Sequence, residues 1–211
     1  MGIRRIGVVG AGAMGSGIAQ VAAQSGCNVL MHDVGDEFVK KGLDSIDKFL
    51  AKGIKRGKVT EAQKNDVLSR IRGTTRIEEL GDADFIIEAV FEDLKVKQDV
   101  FEKIDSLVAP EVILCTNTSS ISITEIAAAT KRPDKVAGMH FFNPAQIMKL
   151  VEVIRGHYSS DETIKTVIDL AKKIGKEPIE VRRDSPGFVI NRILMPHFIE
   201  AIRIVEEGIA T

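Results

Sequence analysis

The sequence has little cysteine, no excess of either charge and no long apolar run. Cys27 and Cys115 are too few for a disulfide framework or a four-ligand zinc site, which fits a reducing cytoplasm and predicts no metal centre. Lys and Arg number 29 and Asp and Glu 30, so a net charge of −1 argues against nucleic-acid or membrane-surface binding through bulk charge. No run approaches ~18 apolar residues and a motif begins at once, so neither a membrane span nor a signal peptide is expected.

The remaining composition is that of an ordinary globular protein. Of 211 residues, 44% are apolar and 28% are charged. This length corresponds to one large domain, or one domain and part of another, and it can bury a core without a disulfide or metal. The composition therefore favours a cytoplasmic α/β enzyme or binding protein.

Apolar runs alternate with helical stretches along the chain. A strand over 3–9, a helix over 14–25 and a strand over Asn28–His32 form a βαβ unit, which implies a parallel sheet. Further strands are predicted at 85–89, 112–115, 136–140 and Leu150–Ile154, and further helices at 94–108, 124–129 and 161–174. The alternation predicts a doubly wound, Rossmann-type α/β sheet with helices on both faces.

Two segments interrupt this alternation. Residues 36–72 show charged helical sequence and no strand signal, which predicts an inserted helical hairpin. The insertion contains ten Lys and Arg and six Asp and Glu, so its net charge is +4. It is either a solvated helical pair or a binding surface for a polyanion. Pro186 and Gly187 mark the second interruption, before an apolar helix over 188–205. We therefore predict one domain over 1–184 and a second beginning over 185–211.

A glycine motif follows the first predicted strand and opens the first helix. It fits G-x-G-x-x-G and reads Gly10-Ala11-Gly12-Ala13-Met14-Gly15. The glycines allow a tight turn, close approach of a pyrophosphate and close helix–strand packing, and the helix N-terminus favours phosphates. Asp33 ends the second strand, where a carboxylate binds adenosine ribose hydroxyls. No Arg adjoins Asp33, so NAD is favoured over NADP; the alternative is a glycine turn without a ligand.

Of the four histidines, His140 is the best candidate for a general base. It ends the apolar run 136–140, and active sites of open α/β sheets lie at the carboxyl ends of parallel strands. A histidine there can also be purely structural. Glu152 lies inside a second apolar run, where an unpaired carboxylate is rarely buried, and a His–Glu pair would fix the imidazole tautomer. The polar loop 116–120 follows another strand and is either part of this site or a helix cap.

Together, four motifs give the chain a clear family resemblance. They are the glycine motif, Asn117-Thr118-Ser119-Ser120, His140-Phe141-Phe142-Asn143-Pro144 and Ser185-Pro186-Gly187-Phe188-Val189-Ile190-Asn191-Arg192. In this order they resemble the 3-hydroxyacyl-CoA dehydrogenases, especially the short bacterial 3-hydroxybutyryl-CoA dehydrogenase type. The resemblance implies NAD-dependent oxidation of a 3-hydroxyacyl-CoA, and the reverse, in fatty acid or butyrate metabolism.

The resemblance also implies roles for individual residues. His140 matches the catalytic base and Glu152 the carboxylate that orients it, while Ser119 and Asn191 match residues that hydrogen-bond the substrate oxygens. Positions near the cofactor are matched by Glu92, Lys97, Asn117 and Asn143. Ser45 and Lys52 match positions that contact coenzyme A, which would account for the positive charge of the insertion.

The family carries an all-helical C-terminal domain that forms a homodimer and covers the active site. The chain ends at Thr211, so we expect only the first helix of that domain here. Two alternatives stay open. One is a β-hydroxyacid dehydrogenase acting on a free acid, although residues 184–211 contain no lysine to serve as its catalytic residue. The other is a non-catalytic NAD-binding protein on the same scaffold.

Overall fold

The computed structural model describes residues 2–211, which form one eight-stranded sheet flanked by helices. The strand order is β3-β2-β1-β4-β5-β6-β7-β8. Neighbouring strands are parallel except β6 and β7, which are antiparallel. The strands are β1 Arg5–Val9, β2 Asn28–His32, β3 Ile71–Thr74, β4 Phe85–Glu88, β5 Ile113–Thr116, β6 Val136–Phe141, β7 Leu150–Ile154 and β8 Glu177–Val181.

Seven α-helices and two short 3-10 helices connect or follow these strands. The α-helices are α1 Ala13–Gln24, α2 Asp36–Lys55, α3 Glu61–Ser69, α4 Leu94–Leu107, α5 Ile123–Ala127, α6 Asp161–Lys173 and α7 Ile190–Glu206. The 3-10 helices are Ile77–Asp82 and Pro133–Lys135. In the part of the chain described, no helix is both long and apolar enough to cross a membrane.

The central strands are buried because helices cover both faces of the sheet. All residues of β4 and β5 are buried, as expected of strands with apolar runs rather than an alternating pattern. One core cluster includes Ile18 of α1 and Val167 of α6, and the other includes Phe101 of α4 and Ile126 of α5. The predicted doubly wound α/β sheet is therefore confirmed.

Three details of the predicted sheet are wrong. β3 begins at Ile71, inside the segment predicted to lack a strand, and it is short, with a single large apolar residue. β8 went unpredicted because it lies at the sheet edge, only its last residue is buried, and it contains Pro178. The sheet is also not wholly parallel, since β7 returns antiparallel to β6. Strand direction depends on the connection between strands, which the apolar pattern does not encode.

The insertion is a helical hairpin, as predicted, but it ends at Ser69 instead of residue 72. α2 packs against α1, and its Gly42 lies against the glycine turn, where a Cβ atom would be 2.7 Å from the carbonyl oxygen of Ala11. The chain turns at Gly57, whose φ is +66°, and Thr60 then caps α3 in a reciprocal arrangement with Gln63. The hairpin therefore lies directly beside the glycine motif.

A helix also follows Pro186 and Gly187, as predicted. α7 contains no buried residue. Its apolar side chains are largely exposed; Phe198, Ile202 and Val205 are 55%, 58% and 58% exposed. The division of the chain into domains at this point stays a prediction.

Candidate active site

The glycine motif forms a tight turn between β1 and α1. Gly10 has a φ of +104°, and a Cβ atom there would lie 2.4 Å from the carbonyl oxygen of Ala89. A Cβ atom at Gly15 would lie 1.8 Å from the oxygen of Gly10, so helix and strand approach too closely for a side chain. At Gly12, by contrast, a Cβ atom would meet nothing within 4 Å. The turn is closed toward the protein and open on its outer side.

The N-terminus of α1 fits a phosphate group. Its N-cap is Gly12, which supplies no side-chain hydrogen bond, and the first turn contains no acidic residue. The first-turn N–H groups, at Ala13 and Met14, are therefore available to an anion that the helix dipole also favours. These features fit the pyrophosphate of a dinucleotide.

Asp33 directly follows β2 and lies beside this turn. One carboxylate oxygen, Oδ2, accepts a hydrogen bond from the N–H of Ala11 at 2.7 Å, and Oδ1 accepts one from the N–H of Val34 at 2.8 Å. Asp33 therefore holds the glycine turn in place. Each oxygen retains a second lone pair that can accept a ribose hydroxyl.

His140 and Glu152 form a buried pair. They are direct neighbours in the antiparallel register of β6 and β7, and Nδ1 of His140 lies 2.8 Å from Oε2 of Glu152. The two residues are 4% and 0% exposed. A carboxylate is only an acceptor, so the hydrogen bond places a proton on Nδ1 and leaves the lone pair of a neutral imidazole on Nε2. The pair predicted from the sequence is therefore present in the structure.

The second oxygen of Glu152 binds the start of α7. Oε1 accepts hydrogen bonds from the N–H groups of Val189 and Ile190 at 2.9 and 3.0 Å. Burial by itself would raise the pKa of Glu152, but the hydrogen bonds from His140 and from these two N–H groups lower the pKa below its ordinary value. Glu152 is therefore stabilised as a carboxylate and joins the histidine to the C-terminal helix.

Ser119 and Asn191 also come together at this edge of the sheet. The side-chain amide of Asn191 donates a hydrogen bond to the carbonyl oxygen of Ser119 at 3.3 Å. The two residues are 72 positions apart in the chain and lie on different elements. Both remain partly exposed, so their side chains are accessible to a ligand.

Glu92 holds the loop that carries Ser119. One of its oxygens, Oε1, accepts hydrogen bonds from the hydroxyl of Thr118 at 2.5 Å and from the N–H of Ser119 at 2.8 Å. Burial raises the pKa of Glu92, but these bonds and the nearby Lys97 lower it to below its ordinary value overall. Glu92 is therefore an ionised support for the loop.

Lys97 is almost completely buried. Its ammonium lies 2.7 Å from Glu88 and 3.3 Å from Glu92. Glu88 is itself 0% exposed and also accepts a hydrogen bond from Thr116 at 2.7 Å. Glu88 was not among the functional residues predicted from the sequence, although it lies in the apolar run 85–89. Its position inside an apolar run is the same signal that identified Glu152.

Asn117 and Asn143, predicted near the cofactor, differ in their surroundings. The side-chain oxygen of Asn117 accepts a hydrogen bond from the N–H of Phe141 at 2.8 Å and so joins the ends of β5 and β6. Asn143 is exposed just beyond β6. Asn117 therefore has a clear structural contact, whereas Asn143 is accessible to a ligand.

Ser45 and Lys52 line a groove along α2, away from the His140–Glu152 pair. The groove has a volume of about 520 Å³. Its lining is Glu37, Lys40, Lys41, Asp44, Ser45, Lys48, Phe49 and Lys52. Four lysines against two acidic residues give this surface a positive charge.

Over residues 2–211, no group of three His, Cys, Asp or Glu side chains is arranged to hold a metal ion.

The fold and the glycine motif define an NAD-binding α/β protein, and comparisons with known proteins identify its family. Residues 5–185 match the family model described as "3-hydroxyacyl-CoA dehydrogenase, NAD binding domain". A probable 3-hydroxybutyryl-CoA dehydrogenase of Deinococcus radiodurans is 50% identical over 206 residues, covering 98% of this chain and 73% of the relative. A 3-hydroxybutyryl-CoA dehydrogenase of Clostridioides difficile is 49% identical, with the same coverage.

The structural comparison agrees. The crystal structure of (S)-3-hydroxybutyryl-CoA dehydrogenase from Ralstonia eutropha superimposes with a TM-score of 0.95 at 48% identity. The match covers 100% of this chain and 74% of that one. The chain belongs to the 3-hydroxyacyl-CoA dehydrogenase family, and the resemblance seen in its sequence motifs is confirmed.

Proposed function

We propose that this protein oxidises a short-chain 3-hydroxyacyl-CoA, such as 3-hydroxybutyryl-CoA, to the 3-oxoacyl-CoA with NAD, and catalyses the reverse reduction. The observation that carries the proposal is the buried hydrogen bond between Nδ1 of His140 and Glu152. It leaves Nε2 of His140 as a base at the edge of the sheet where the glycine motif also lies.

His140 accepts the proton of the 3-hydroxyl group through Nε2. The electrons of the broken O–H bond form the second C–O bond of the ketone, and Glu152 stabilises the imidazolium through Nδ1. The nicotinamide of NAD supplies the acceptor for the hydride that leaves C3. In the reverse direction, His140 returns the proton to the oxygen.

Ser119 and Asn191 hold the substrate oxygen during this transfer. Their contact with each other and their partial exposure support this role. Polar groups that are already oriented toward the oxygen before the reaction stabilise the charge that develops on it in the transition state. Glu92, Lys97 and Glu88 act as positioning residues, because their hydrogen bonds and ion pairs support the loop around Ser119.

Asp33 binds the ribose hydroxyls of NAD, and the open side of the glycine turn receives the pyrophosphate. Asn117, Asn143, Glu92 and Lys97 belong to the surroundings of the bound cofactor. The contribution of Lys97 is indirect, since its ammonium faces two carboxylates. Ser45 and Lys52 bind the nucleotide of coenzyme A, a role supported by the positive groove along α2.

The location and assembly of the protein are also part of the proposal. A cytoplasmic protein fits the two free, buried cysteines. A homodimer that uses α7 fits the exposed apolar side chains of that helix. The domain boundary would then lie near residue 184, before the turn that leads into α7.

A rate assay tests the proposed function. The protein should oxidise NADH with acetoacetyl-CoA but not with free acetoacetate, because the ester carries the nucleotide that the α2 groove binds. His140→Gln should lower kcat by about 10²- to 10⁴-fold, the usual loss for a general base, while the Kd for NADH changes little. Activity with free acetoacetate alone would favour the β-hydroxyacid dehydrogenase alternative. NADH binding without turnover of either compound would favour a non-catalytic protein.

A further inference from the structure

Phe188 is a buried aromatic residue in an unusual backbone conformation. Its φ is +51°, and among residues 2–211 every other residue with a positive φ is a glycine. The side chain is 3% exposed and belongs to a core cluster. The left-handed region is unfavourable for a bulky side chain and is occupied only where the surrounding contacts impose it.

The backbone beyond Phe188 is attached to the carboxylate that binds His140. The next two N–H groups, of Val189 and Ile190, donate to Oε1 of Glu152, whose Oε2 binds Nδ1 of the histidine. The turn and the imidazole therefore share one carboxylate. These hydrogen bonds therefore fix the position of the Phe188 backbone relative to His140.

The ring of Phe188 meets the imidazole of His140 edge-on. The two ring centroids are 5.7 Å apart and the planes are inclined at 60°. Phe142 provides a second aromatic contact at 4.7 Å. The hydrogen bond to Glu152 restrains Nδ1 but tolerates a range of angles, so small changes in the side-chain torsions of His140 can still tilt the ring. The tilt, and with it the direction of the Nε2 lone pair, therefore depends on the packing around the ring.

We propose that Phe188 is a positioning residue for the base of the reaction. Held in the left-handed conformation by its turn, it sets the tilt of the His140 imidazole and so directs Nε2 toward the substrate hydroxyl. This inference rests on the proposed function of His140. Phe188 lies in the turn that leads into α7, whereas His140 lies in β6. A residue outside the sheet would therefore orient a base within the sheet.

A double-mutant cycle tests whether Phe188 acts through His140. Phe188→Leu keeps the apolar volume but removes the ring, and it should lower kcat with acetoacetyl-CoA about 10- to 100-fold, as expected of a misaligned base. The KM values for the ester and for NADH should change less than about twofold, because neither is bound by Phe188. In a His140→Gln background the same substitution should change kcat less than about twofold, since no imidazole remains to be oriented. An equal loss in both backgrounds would overturn the inference.

An NMR measurement provides a readout that does not need turnover. Phe188→Leu should move and broaden the Hε1 resonance of His140, which His140→Gln identifies by its disappearance. Tyr158→Leu is the matched control, because Tyr158 meets His157 edge-on at 4.8 Å outside this site, and it should leave the His140 resonance unchanged. An unaltered His140 resonance in Phe188→Leu would overturn the inference.

The two proposals fail in different ways. A wild-type protein that does not oxidise NADH with acetoacetyl-CoA contradicts the proposed function, and the NMR comparison then still decides whether Phe188 orients the ring. An active wild type with a fully active Phe188→Leu variant contradicts only the role of Phe188. If Phe188→Leu does not bind NADH, Phe188→Met takes its place, since its flexible side chain fills a similar volume.

Discussion

His140 and Glu152 face each other across the antiparallel β6–β7 pair, and their side chains meet at 2.8 Å. The antiparallel register is the reason for this contact, since it brings two residues twelve positions apart side by side in one sheet. Glu152 also reaches the first N–H groups of α7. One buried carboxylate therefore links the sheet, the proposed base and the C-terminal helix.

Glu152→Gln should lower both activity and stability, and the loss of stability should depend on pH. The native-state pKa of Glu152 lies below its ordinary value of 4.5, so the carboxylate stabilises the fold fully above pH 4.5 and less as the pH falls through the native pKa. We expect urea unfolding at pH 7 to show a loss of about 1.5–3 kcal/mol, the range for hydrogen bonds to a charged group. The difference from wild type should shrink in acid. Glu177→Gln, an exposed carboxylate on β8, is the control, and a difference that does not depend on pH would contradict the prediction.

Asp33→Ala should weaken NAD binding and reduce the preference for NAD over NADP. The carboxylate accepts ribose hydroxyls, repels a 2′-phosphate and also holds the glycine turn through Ala11. We expect the Kd for NAD to rise about 10- to 100-fold, as for the loss of hydrogen bonds to a charged group, and the Kd for NADP to rise less. Titration of both cofactors measures this, with Asp36→Ala as a nearby acidic control. Equal losses for NAD and NADP would show that Asp33 does not contact the ribose.

Lys52→Glu should raise the KM for the CoA ester and leave the Kd for NADH unchanged. Lys52 lines the positive groove on α2, so reversing its charge removes an attraction for phosphate. The KM of the variant should also depend less on salt, because one screened contact is lost. Lys55→Glu changes the same charge on the same helix outside the groove lining and should have the smaller effect on KM. Similar KM values for both variants would show that the groove does not bind the nucleotide of coenzyme A.

Lys97→Met should destabilise the fold because it leaves Glu88 as a buried carboxylate without its cation. Breaking a buried ion pair in this way costs about 3–5 kcal/mol in unfolding free energy. Adding Glu88→Gln to Lys97→Met should restore part of the loss, since no buried charge then lacks a partner. Lys95→Met, on the exposed side of the same helix, should leave the unfolding free energy nearly unchanged. A Lys97→Met variant as stable as wild type would contradict this account of the pair.

The exposed apolar face of α7 should mediate self-association of the chain. Phe198 and Ile202 are both more than half exposed, although each has a large apolar side chain. Sedimentation should show association that increases with protein concentration, and Phe198→Glu should weaken it. NADH binding should be retained in that variant, because Phe198 is an exposed residue of α7, a helix with no buried residue, and is not part of the glycine turn. A monodisperse wild-type monomer would exclude α7 as an association surface.

The amino-acid sequence by itself determined the doubly wound class, the glycine turn and the identity of the catalytic candidates. These features depend on local signals: apolar runs mark buried strands, and Gly10 and Gly15 stand where a Cβ atom would collide with the backbone. Glu152 was recognisable for a similar reason, since an ionisable group inside an apolar strand needs a partner. The same signal at Glu88 identifies a second buried carboxylate.

Only the tertiary structure decided which residues meet. The antiparallel direction of β7, the edge strands β3 and β8, the Glu88–Lys97 pair and the contact of Phe188 with His140 all depend on groups brought together from distant parts of the chain. Short edge strands bury little apolar surface and so leave a weak pattern in the sequence. The left-handed conformation of Phe188 is likewise imposed by its surroundings, because an isolated phenylalanine disfavours it and long-range contacts must supply the difference in free energy.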